Sequence, residues 1–84
     1  MKKELNQFVL DFCEGIECTL WETNKITCYV DCELVDVLQL DSVNDIDNSL
    51  LNDIMTQIVD VLNNTEGIKA YIASSNEITA YKED

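Results

Sequence analysis

Residues 9–16 of this chain read VLDFCEGI, and residues 61–68, 52 positions later, read VLNNTEGI. The same offset sets Asn24-Lys25-Ile26-Thr27-Cys28-Tyr29 against Asn76-Glu77-Ile78-Thr79-Ala80-Tyr81. The identical pairs are Val9/Val61, Leu10/Leu62, Glu14/Glu66, Gly15/Gly67, Ile16/Ile68, Asn24/Asn76, Ile26/Ile78, Thr27/Thr79 and Tyr29/Tyr81, with no gap between them. A phrase used twice in this way predicts one structural unit repeated, with a pseudo-twofold relation between the halves.

Each half has the same local pattern. Leu5, Phe8, Val9 and Phe12 fall at i, i+3, i+4 and i+7, one stripe of an amphipathic helix. Gly15 is expected to end that helix, as glycine commonly does. Ile16, Cys18 and Leu20 then alternate with Glu17, Thr19 and Trp21, a strand pattern. Thr23-Asn24-Lys25 reads as a tight turn, since Asn tolerates positive φ. Ile26, Cys28, Val30 and Cys32 alternate as a second strand over 26–32. In the other half, Asp47 or Ser49 can cap a helix carrying Leu51, Ile54, Met55, Ile58, Val61 and Leu62. Gly67 is expected to end it, with strands over 68–73 and 77–82 joined through Ser74-Ser75-Asn76.

The expected fold is therefore α+β: an α-β-β-α-β-β internal repeat forming a four-stranded, mainly antiparallel sheet with two helices on one face. The 84 residues read as a single domain. Repeat units 2–32 and 47–84 are joined by an acidic and apolar connector, 33–46, in which neither period wins cleanly: it could add a short edge strand or form one helical turn, and an extended continuation of the second strand is the leading expectation.

Charge narrows the function classes. Seventeen acids face five lysines, with no Arg or His, for a formal charge of −12. No base occurs between Lys25 and Lys69, where Asp31, Glu33, Asp36, Asp41, Asp45, Asp47, Asp53, Asp60 and Glu66 all lie. Such a chain repels nucleic acid and anionic membranes and is drawn to basic surfaces. Surplus acids also serve solubility. No apolar run approaches the roughly 18 residues of a membrane span, and no secretory signal pattern is visible. The expected location is cytoplasmic.

Nothing in the sequence points to catalysis. There is no His for proton transfer, no Gly-rich phosphate loop and no nucleophile elbow. Cys13, Cys18, Cys28 and Cys32 lack a Cys-x2-Cys knuckle, and the repeat mates Ala70 and Ala80 mark Cys18 and Cys28 as small core hydrophobes. Cys18, Cys28 and Cys32 share one strand parity. The stretch from Asp41 to Asp47 lacks the mid-loop glycine and the twelfth-position Glu of a calcium loop. No metal, cofactor or enzymatic activity is expected.

Strand parity puts Glu17, Thr19, Trp21, Thr27, Tyr29, Asp31, Lys69, Tyr71, Ala73, Thr79 and Tyr81 on the face away from the helices. Every Trp and Tyr in the chain would then cluster on an uncovered sheet rimmed by acids. Tyr and Trp are enriched in interface hot spots, while the acidity argues against a single-stranded RNA platform. In size and charge the chain resembles the small acidic proteins of phages and mobile elements: anti-CRISPR proteins, anti-restriction DNA mimics and inhibitors of DNA repair enzymes. The likeness is one of class and implies a protein-binding inhibitor or modulator that blocks a basic groove on a nucleic-acid-binding protein. Its contacts would come from Asp31, Glu33, Asp36, Asp41, Asp45, Asp47 and Asp53, with Trp21 or Tyr29 as an apolar anchor. The competing expectation is an assembly module that forms a homodimer, or docks, through Trp21, Tyr29, Tyr71 and Tyr81.

Overall fold

The structure, a computed structural model, describes the backbone of residues 2–83 and the side chains of residues 4–83. Its elements are α1 (Lys2–Glu22), β1 (Lys25–Tyr29), α2 (Asp31–Leu38), a single 3-10 turn (Val43–Asp45), α3 (Asn48–Asn63), β2 (Ile68–Ile72) and β3 (Glu77–Lys82). The fold is α+β, but the sheet has three strands, not four, in the antiparallel order β1-β3-β2. The chain does not show two equivalent units.

The departure begins at Gly15. Residues 16–22, expected as a strand, continue α1 to Glu22. Val9, Phe12, Cys13, Ile16 and Leu20 are all buried and hold helical spacing straight through the glycine. Gly15 therefore sits inside a helix, where it has no preferred role. Its counterpart Gly67 does not stop its helix either, because α3 ends at Asn63 with Asn64 as C-cap; Gly67 lies in the turn before β2 with φ +86°, a conformation that a Cβ disfavours. Two glycines at one repeat position thus have opposite structural meanings. A Cβ built on Gly15 meets nothing within 4 Å, so Gly15→Ala should stabilise by about 0.5–1 kcal/mol. Gly67→Ala should destabilise by about 1–2 kcal/mol through its positive φ. Thermal unfolding of the two variants, with shifts of opposite sign, checks this assignment.

The second departure lies in residues 31–38. The expected strand over 26–32 stops at Tyr29, and the connector, expected to be extended, winds into α2. Asp31 Oδ1 accepts from the Cys32 amide at 2.8 Å, and Asp31 Oδ2 accepts from Asn76 Nδ2 at 3.0 Å. The start of α2 is thereby tied to the β2–β3 turn. At the other end Gln39 adopts φ 57°, ψ 45°. The Gln39 amide then donates to Asp36 O and the Leu40 amide to Val35 O, closing a Schellman motif without glycine.

The expected elements of the second half are present. Asp47 caps α3 through a 2.8 Å bond from the Ser49 amide to Oδ1. Leu51, Ile54, Met55, Ile58 and Leu62 of α3 pack against Phe8, Val9, Phe12, Cys13, Ile16 and Leu20 of α1 and against Ile68, Ala70, Ile78 and Ala80 of the sheet. Val30, Leu34 and Ile46 complete the core. Both long helices cover one sheet face, which leaves the other face open. No helix among the described residues is long and apolar enough to cross a membrane.

Candidate functional site

Strand register decides what the open face displays. Lys25 pairs with Tyr81 and Tyr81 with Lys69, so one row across the sheet reads Lys25–Tyr81–Lys69. The next row is Thr27–Thr79–Tyr71, and Tyr29 lies opposite Glu77. Thr27 Oγ1 and Thr79 Oγ1 share a 2.9 Å hydrogen bond, and Thr79 is buried beneath its larger neighbours. Tyr29, Tyr71 and Tyr81 are 55%, 47% and 38% exposed. The three tyrosines thus share the uncovered face.

Trp21 does not join them. It lies in the last turn of α1 because residues 16–22 are helical, and it is 81% exposed. The Lys82 ammonium sits 5.7 Å from the centre of its ring, a cation–π contact at the other side of the sheet. The expected acidic rim is also replaced. Lys25 and Lys69 flank Tyr81, and Lys69 reaches Glu83 at 3.6 Å, a solvent-exposed pair of small energetic weight. Asp31, expected beside Tyr29 on this face, belongs instead to the first turn of α2.

The carboxylates concentrate on the helical side. Glu33 and Asp36 project from α2, Asp41 and Asp45 from the segment that includes the 3-10 turn, and Asp47 and Asp53 from the start and first turns of α3. All six are exposed. Asp31 and Asp47 also cap backbone amides, so each has a structural task besides its charge. Carboxylates in the first turn of a helix are favoured by its dipole, which accounts for Asp31 and Glu33 at the start of α2. The sequence has no lysine from residue 26 to 68, and none of these six carboxylates is in a salt bridge among the described residues.

The cysteines do not share one inner face. Cys13 is buried and donates to Ile58 O at 3.6 Å, Cys28 is half-buried, and Cys18 and Cys32 are exposed. All four are free thiols. Burial pushes the Cys13 thiol up to about 11, with the Glu17 charge adding to it. Burial and Glu33 raise Cys28 likewise. Cys32 is raised by desolvation and by Asp31, Asp36 and Glu33; since its side chain is exposed, the carboxylates are the dominant influence. Raised thiols are protonated at neutral pH and poor nucleophiles. No group of three or more Cys, Asp or Glu side chains converges as a metal cage among the described residues.

One site was missed by sequence reasoning. A groove of about 450 Å³ runs under the outer edge of β1, between α1 and the start of α2. Phe12 and Ile16 of α1 and Ile26 and Cys28 of β1 form its apolar part, and Asp11 and Glu33 stand on its rim. A strand over residues 16–22 would fill this space, so the groove exists only because those residues continue α1. Comparison with protein-family models, with curated proteins and with solved structures gives no match.

Proposed function

We propose that this chain is a non-catalytic, acidic protein-binding module whose α2–α3 surface occupies a basic groove on a nucleic-acid-binding protein. The observation that supports this reading is the run of exposed carboxylates Glu33, Asp36, Asp41, Asp45, Asp47 and Asp53 on consecutive elements with no cation among them. Carboxylates held on short helices can occupy lysine and arginine sites that otherwise hold phosphates. A second reading is favoured by a different observation, the three exposed tyrosines on the open sheet face: docking through aromatic area, with the acids serving solubility.

Capture of lysate proteins on the immobilised chain, followed by a salt wash, separates the two. Carboxylate-driven binding should weaken steeply from about 0.05 to 0.5 M salt as the Debye length shrinks. The captured protein should bind duplex DNA or RNA, lose that binding when this chain is added, and fail to bind Asp36→Lys/Asp45→Lys. Capture that resists salt and is lost in Tyr71→Ala/Tyr81→Ala would replace the first reading with the second.

A further inference from the structure

The two outer edges of the sheet are treated differently. On the β2 side, the hydrogen bond from the Ala73 amide to Glu77 O sets the odd residues of β2 toward β3, so Ile68, Ala70 and Ile72 turn their backbone groups outward. Asn63 occupies the centre of that edge: its Nδ2 donates to Ala70 O at 3.1 Å, and its Oδ1 accepts from the Ala70 amide at 2.8 Å. One carboxamide thus imitates a neighbouring strand, and the Ile68 amide is taken by Thr65 O. On the β1 side, the Lys82 amide donates to Asn24 O and the Val30 amide to Asn76 O, which sets the even residues toward β3. Lys25, Thr27 and Tyr29 therefore turn their N–H and C=O groups outward, and among the described residues nothing bonds to them. Native sheets usually cover, shorten or charge such an edge. Here only Lys25, at its start, does so.

Beneath this open edge lies the groove of Phe12, Ile16, Ile26 and Cys28 with Asp11 and Glu33 on its rim. We infer that β1 is a strand-addition site: an extended segment of a basic partner protein pairs antiparallel with Lys25–Tyr29 as a fourth strand and roofs the groove. Main-chain bonds supply the affinity in this mode, and alternate side chains supply the selectivity. The partner residues that bond to Lys25, Thr27 and Tyr29 share the tyrosine face, where β-branched side chains pack well beside Thr27 and Tyr29. The residues between them point into the groove. Lysine or arginine suits those positions, with its stem over Ile16, Ile26 and Cys28 and its charge at Asp11 and Glu33. A second copy of this chain fits poorly, because each copy carries −12. The inference does not depend on the α2–α3 reading.

The probe is an acetylated and amidated Lys-Val repeat octapeptide, added at moderate salt to the isotopically labelled full chain and followed by amide hydrogen exchange. The amides of Lys25, Thr27 and Tyr29 should exchange freely without peptide and gain protection with it, while those of Ile68 and Ile72 stay unchanged. N-methylation of the valines removes the peptide N–H groups that face β1 and should weaken binding roughly thirtyfold or more, since several main-chain bonds are lost together. N-methylation of the lysines leaves those groups intact and should change affinity little. Asp11→Lys/Glu33→Lys should weaken the peptide, whereas Asp36→Lys/Asp45→Lys should leave the protection pattern in place, so this inference and the α2–α3 proposal fail separately. Equal binding by both N-methylated peptides would mean that the contact is charge alone and would overturn the inference. Protection of the β1 amides without peptide, through self-association, would overturn it as well.

Discussion

Ile58→Ala should remove roughly 2–5 kcal/mol of stability, the usual cost of emptying a closed core position. Ile58 is 0% exposed, and its carbonyl accepts the Cys13 thiol, so it stands where α3 meets α1. Neither helix can close the gap alone, since α1 is set by its own row of Phe8, Phe12, Ile16 and Leu20 and α3 by Leu51, Ile54, Met55 and Leu62. A domain of this size shifts its melting temperature by about 4–8 °C for each kcal/mol. The expected drop is therefore a large part of the total stability, which for small domains is about 5–15 kcal/mol. Leu10→Ala is the control: Leu10 lies on the same helix as Phe8 and Phe12 but is 55% exposed, and its loss should cost no more than about 0.5 kcal/mol. Urea unfolding of both variants measures the contrast. Equal effects would mean that the α1 stripe does not face α3 as described.

Asn63→Ala should have a second large effect, of a different kind. It leaves the Ala70 N–H and C=O without partners at a position that is 8% exposed. Orphaned groups of this sort cost roughly 1–3 kcal/mol. The same change strips the cover from the β2 edge, so the variant should also self-associate when salt screens the charge of −12. Asn63→Asp separates the two roles of the carboxamide. The aspartate can still accept from the Ala70 amide, but it cannot donate to Ala70 O and sets a carboxylate against that carbonyl. Unfolding free energy together with sedimentation at low and high salt reads both consequences. A monomeric, fully stable Asn63→Ala would mean that the β2 edge needs no cover.

Much of the fold was legible because it is written in short-range terms. The α1 stripe from Leu5 to Phe12, the Asp47 cap, the α3 stripe and the β2–β3 hairpin each depend on residues within about one or two turns of each other. The three tyrosines were placed on the open face correctly because β1, β2 and β3 kept their parity. Trp21 and Asp31 were misplaced for one reason each. Ile16 and Leu20 are four residues apart, a spacing that satisfies both a strand of period two and a helix of period 3.6. Cys18 breaks the tie only in the structure, where it is exposed on the helix instead of buried on a strand. α2 was hidden because neither of its ends carries the usual signature: Val30 offers no side-chain cap, and Gln39 takes the left-handed position that glycine normally marks.

The acidic surplus, the core stripes of α1 and α3, the cap at Asp47 and the hairpin of β2 with β3 follow from composition, periodicity and capping chemistry alone. The repeated phrase did not have to mean a repeated structure, because identical letters can serve opposite conformations at Gly15 and Gly67. That difference is set by contacts distant in sequence. In the first half, Cys13, Ile16 and Leu20 find buried places in the core shared with α3, so helix continues through the glycine at a modest propensity cost. In the second half, the Asn63 carboxamide pairs with Ala70 and β2 pairs with β3, so the chain turns at Gly67 into the sheet. The missing fourth strand has the same origin: once residues 16–22 remain in α1, the outer side of β1 is left with unpaired backbone above an apolar groove.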